Sequence, residues 1–75
     1  MTADDWDPAG KATWTHVHRE PGKWMTVRCI CQCRGPDKWV LQVGSDDWVE
    51  LPSWQEVLDV TPMLIGIYKA RNQND

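Results

Sequence analysis

Phenylalanine is absent from this chain and tyrosine occurs once, while tryptophan occurs six times among 75 residues. Indole rings have therefore taken over nearly the whole aromatic role. A buried tryptophan removes roughly 150–250 Å² from water, worth about 4–6 kcal/mol at ~25 cal/mol per Å² before entropy is deducted. Two or three of them can anchor the core of a chain too short to bury much else.

Long runs of one kind are missing as well. The longest apolar run, Met63 to Tyr68, is far too short to cross a bilayer. The opening Met-Thr-Ala-Asp-Asp-Trp-Asp is acidic where a secretory leader is basic and then apolar, so a cytoplasmic protein with no membrane partner is expected. No block of like charge resembles a nucleic-acid-binding tail, and the net charge of −3, from eleven acidic and eight basic residues, argues against nucleic acid as the partner. Three cysteines packed within five residues make no disulfide framework and suit a reducing compartment. No Gly-rich phosphate loop, nucleophile elbow or spaced carboxylate pair accompanies them. Neither an enzyme nor a cofactor is expected.

What is present is alternation. From Lys23 to Cys33, Met25, Val27, Cys29, Cys31 and Cys33 fall on one side of an extended chain, and Trp24, Thr26, Arg28 and Gln32 on the other. Pro21-Gly22 and Gly35-Pro36 fence this stretch, which predicts the central strand of a sheet. Ile30 is an apolar exception on the wet side and calls for a cover. A strand before it, 12–19, carries Trp14, His16 and His18 on one side and Thr13, Thr15, Val17 and Arg19 on the other. The turn at 20–23 has type II chemistry, and its loop length decides which side joins the cysteines, so this register stays open. On the far side, a five-residue loop pairs Cys33 with Trp39, Cys31 with Leu41 and Cys29 with Val43, apolar on apolar. Trp48 to Leu51 is a short strand ended by Pro52. Ser53 and Glu56 form a capping box for a helix over 53–60, which Pro62 is expected to stop. Residues 62–70 then form a fifth strand or a second helix, the β formers Ile65, Ile67 and Tyr68 favouring the strand.

The expected fold is mainly β (α+β): an antiparallel meander of four to five strands with one short helix, curled as an SH3-like barrel. A flexible lead-in, 1–11, should precede the compact domain, 12–71, and residues 72–75 should fray.

Cys29, Cys31 and Cys33 with His16 and His18 are the candidate metal ligands. Strand residues two apart lie roughly 6.6 Å from each other, while two thiolates on one zinc lie within about 4.6 Å, so the strand would have to bend. Small buried hydrophobes are the default for these cysteines. A faint helix-turn-helix outline around Pro62 is weakened by Met63 to Gly66, which hold nothing that reads a base edge.

Among the tryptophans, Trp39 and Trp54 lie on apolar faces and Trp14 joins them in one of the two registers of the first hairpin, so the core is the default for these three. Trp24, Trp48 and Trp6 are the candidate surface anchors, with Asp46 and Asp47 beside Trp48 and Asp4 and Asp5 beside Trp6. Carboxylates next to an aromatic face suit a guanidinium or ammonium partner. The function expected is a non-enzymatic protein-binding module for a basic protein surface, acting as an inhibitor if that surface is a partner's nucleic-acid site. The alternative is a small barrel stacking single-stranded nucleic acid on tryptophan, and a third is a zinc-stabilised module. The sequence sets neither the partner's identity nor the oligomeric state.

Overall fold

The computed structural model describes residues 1–19 and 26–72. Trp24, Met25 and the turn expected at 20–23 lie outside the described residues, as do 73–75. Five strands, β1 (Asp7–Gly10), β2 (Thr13–Arg19), β3 (Thr26–Gly35), β4 (Lys38–Val43) and β5 (Val49–Leu51), are followed by one helix, α1 (Trp54–Asn72). The strands form one antiparallel sheet in sequence order.

β3 is central, and its alternation is what fixes the sheet. Val27, Cys29 and Cys31 are fully buried on one face, while Thr26 and Arg28 are exposed on the other. Cys33, Cys31 and Cys29 oppose Trp39, Leu41 and Val43, the register that apolar matching favours. The open register of the first hairpin resolves with Trp14 opposite Cys31, His16 opposite Cys29 and His18 opposite Val27, so the tryptophan and both histidines share the cysteine face.

The sheet does not close into an SH3-like barrel. It stays open, with β1 and β5 as its edges. One face is covered, by α1 over the β3–β5 half and by indoles over the rest, and no curling is needed to bury it. Among the described residues nothing covers the other face. Ile30, for which a cover was expected, is half-buried only by its neighbours on that face.

α1 overturns the expected stop at Pro62 and the expected strand over 62–70. The helix begins where Ser53 predicts, the Glu56 N–H donating to Ser53 Oγ at 3.2 Å, but it then continues through Pro62 to Asn72. Proline in a helix interior costs about 3 kcal/mol, because the carbonyl four residues back loses its donor. The buried stripe Val57, Leu58, Thr61 and Ile65 keeps its helical period across Pro62 and extends to Leu64 and Tyr68, which pack on the core. Burying a side chain such as Ile65 is worth about 1.5–3 kcal/mol, so two more turns on the sheet outweigh the proline. The Thr61 hydroxyl, fully buried, donates to the Val57 carbonyl at 2.6 Å.

The far end of α1 is held by a glycine. Gly44 has φ +60°, and a Cβ there would clash with the Tyr68 ring. Only a residue without a side chain permits both that backbone and that contact. One turn later Arg71 pairs with Asp46.

The stretch expected to be an unstructured lead-in is folded against the sheet. Residues Ala3–Asp5 make one 3-10 turn, and β1 pairs with β2. The Thr2 N–H and hydroxyl both donate to the Asp5 carboxylate, at 2.9 and 3.3 Å. The backbone hydrogen bond from Thr2 is the main reason the Asp5 carboxyl is held below its ordinary pKa. Trp6 follows this turn and is 4% exposed, its indole N–H directed at the Met1 sulfur, 3.1 Å away.

Candidate functional site: a tryptophan cleft

Register decides where the indoles meet. Trp14 on β2 and Trp39 on β4 flank β3 opposite Cys31 and Cys33, so both project to the covered face. Trp54 opens α1 and packs against both, with ring centroids 5.6 Å from Trp14 and 4.9 Å from Trp39. Trp14 and Trp39 lie 5.4 Å apart. Trp6 arrives from the N-terminal turn, edge-on to Trp54 at 5.8 Å. Tilts of 41–45° among the first three rings and 65° for the Trp6–Trp54 pair are the offset and edge geometries that aromatic quadrupoles favour.

Ala3, Trp6, Pro8, Trp14, Trp39 and Trp54 line a cleft of about 330 Å³, at the small end of the ligand-pocket range. Trp6 is its buried floor, while Trp14, Trp39 and Trp54 are half-buried and keep part of their rings in contact with solvent. No described residue accepts a hydrogen bond from these three indole N–H groups, and none of the three is a buried orphan. The cleft therefore offers apolar faces together with N–H donors still available to a ligand. Asp4 and Asp5, both exposed, belong to the same turn as Ala3.

The residues singled out in the sequence do not form one site. Trp6 is corrected outright: it is buried and serves the cleft as a wall, not as a free anchor. Trp48 is exposed as expected, at 44%, but sits beside β5 with Asp46 and Asp47. Asp46 is engaged by Arg71, and these three residues line no part of the tryptophan cleft. Trp24 lies outside the described residues. Trp14, Trp39 and Trp54, whose default place from sequence is the core, are the ones that build the cleft. The signal for them was the choice between two hairpin registers, which the sequence left undecided.

The cysteines and histidines share a face without forming a ligand set. Burial pushes the Cys29 and Cys31 thiols up to about 12, with the neighbouring Cys33 adding to the effect on Cys31. Such thiols stay protonated where a metal or a nucleophilic reaction needs thiolate. The Cys33 thiol donates to the Gly35 carbonyl at 3.1 Å. His16 Nδ1 lies 2.7 Å from the Asp5 carbonyl and must donate to it, which leaves Nε2 buried without a partner. No three of the His, Cys, Asp and Glu side chains among the described residues converge as a metal-binding group.

Charge is unevenly spread over the two faces. Asp4, Asp5, Glu56 and Asp59 lie with the N-terminal turn and α1, whereas Arg19, Arg28 and Lys38 alternate with the covered residues and project from the open face. The open face is net basic, although Asp7 and Glu50 stand on it as well, opposite Thr15 and Val40, and Lys69 and Arg71 belong to α1. Among the described residues no helix is long and apolar enough to cross a membrane. Comparison with known proteins finds no matching family model, no similar curated protein and no similar solved structure.

Proposed function

We propose that this protein is a non-enzymatic binding module whose docking surface is the tryptophan cleft, and that its partner is a protein presenting a basic surface. The observation that carries this reading is the convergence of four indoles on one cleft with three of them still half-exposed. Tryptophan in a partly formed pocket is the residue most enriched at binding hot spots. The exposed carboxylates of Asp4 and Asp5 supply the charge that steers a lysine or arginine onto an aromatic face, where cation–π attraction adds to ion pairing. A module bound to such a surface competes with nucleic acid for it, which is the inhibitory role the sequence suggests. The reading in which single-stranded nucleic acid stacks on the tryptophans loses support from Asp4 and Asp5, because phosphates following the stacked bases would meet these exposed carboxylates.

Titration of the ¹⁵N-labelled protein with an arginine-rich peptide tests this. The indole N–H resonances of Trp14, Trp39 and Trp54 should shift saturably, Trp48 should not, and Asp4→Lys should weaken the binding, most at low salt. Shifts produced by an oligonucleotide and not by the peptide would overturn the reading.

A further inference from the structure

We propose that the open face of the sheet receives α1 of a second copy, joining copies head to tail through charge and apolar contact. The observations come from two surfaces unrelated to the tryptophan cleft. Val17, Ile30 and Val40 stand on the open face at positions opposite Arg28, Gln42 and Gln32. That register places them on a diagonal across β2, β3 and β4. Val17 is 42% exposed. Around this stripe stand Arg19, Arg28, Arg34 and Lys38, all exposed, and no carboxylate among the described residues pairs with them.

The second surface is the outward side of α1. Glu56, Asp59, Met63 and Ile67 follow one another at steps of three and four residues, so they share a helix face. All four are exposed, and Met63 and Ile67, at 58% and 47%, are among the most exposed large apolar side chains described. Asp7, opposite Thr15, and Glu50, opposite Val40, also stand on the open face, so that surface, with four cations against two carboxylates, is apolar and net basic, and the other is apolar and acidic.

Lengths agree. Glu56 to Ile67 spans about 16 Å at 1.5 Å per residue. The diagonal from Val17 to Val40 is two steps of about 8 Å, given strand spacings near 4.8 Å and a rise near 3.3 Å per residue. Pairing two open faces would bring the four cations of each copy together, and pairing two helices would do the same for the carboxylates. Only the unlike pairing places opposite charges together while burying apolar side chains on both sides. Such a contact is heterologous, so it extends into chains and does not stop at a dimer. A patch this small falls below the ~800 Å² per partner of a standard interface, so association should be weak and visible at high concentration.

Sedimentation velocity of the protein up to about 1 mM at low ionic strength tests this, a concentration at which contacts of only ~4 kcal/mol are populated. The average mass should rise with concentration, without a plateau at two copies, and should fall when salt is added. Arg19→Glu with Arg28→Glu, and separately Glu56→Lys with Asp59→Lys, should each be monomeric alone, since both make the two surfaces alike in charge. A one-to-one mixture of these variants should associate again, because each then meets its opposite. Met63→Gln with Ile67→Gln leaves the charge unchanged and should also abolish association, which separates a docked contact from a general charge effect. All the substituted positions are exposed, and an unchanged melting temperature will establish that each variant is folded. A wild type that stays monomeric at the highest concentration, a plateau at the dimer, or a mixture that remains monomeric would each overturn the proposal.

Discussion

The covered face of the sheet has two halves, and they are covered differently. Over β3–β5 the cover is α1, with Val57, Leu58, Thr61 and Ile65 meeting Leu41, Val43 and Leu51, and these residues are buried or nearly so. Toward β1–β2 the cover is a group of rigid rings that reaches across to Trp39 on β4 and Trp54 at the start of α1, and three of the four are only half-buried. Aliphatic side chains interdigitate and close a surface completely. Indoles at mutual tilts near 45° cannot, and the space they leave is the cleft. The first half should therefore supply more of the stability, while the second keeps part of its apolar surface in contact with water.

Substitution of one side chain in each half should expose this difference. Leu41→Ala, at a fully buried position, should cost about 3–4 kcal/mol, a large share of the stability of so small a domain. Trp14→Ala removes more atoms but should cost less, about 1–3 kcal/mol, because part of that ring already faces water. Urea denaturation of both variants checks the order, and the reverse order would mean that the aromatic half is the true core.

A change of opposite sign comes from the helix-covered half. Pro62→Ala restores the N–H that the Leu58 carbonyl lacks, and should stabilise the protein by about 2 kcal/mol once the greater freedom of the unfolded chain is deducted. If the halves are as separate as their covers suggest, the melting temperature should rise while the indole resonances of the cleft keep their positions. Movement of those resonances would show that α1 sets the cleft's shape along its whole length. The smallest effect belongs to Trp48, which lies in neither half. Trp48→Ala should change stability by less than about 0.5 kcal/mol, and a larger loss by thermal denaturation would extend the core to the β5 edge.

How much of this was legible in the sequence follows the same division. The β3–β4 register was readable because apolar residues can meet apolar residues in one way across a five-residue loop. The start of α1 was readable from Ser53 and Glu56. Its end was not, because the local tendency of Pro62 to stop a helix opposes the spacing of Val57, Thr61, Ile65 and Tyr68, which runs through it without a break. Trp6 was missed for a related reason. Its neighbours are polar and without period, and the partners that bury it, Trp54 and His16, are distant in sequence. The cleft needed both the first hairpin's register and the position of Trp6, and neither is encoded locally.

The row of cysteines along β3 also gives the molecule a clock. Cys33 is partly exposed, whereas Cys29 and Cys31 are sealed and protonated well above neutral pH, so an alkylating reagent can reach the latter two only while the sheet is open. One adduct should form promptly on Cys33, and the next two should appear together, at a rate set by the population of the opened state. The lag between the first adduct and the third, followed by intact mass, measures how seldom the sheet comes apart, with the native cysteines as the only probes.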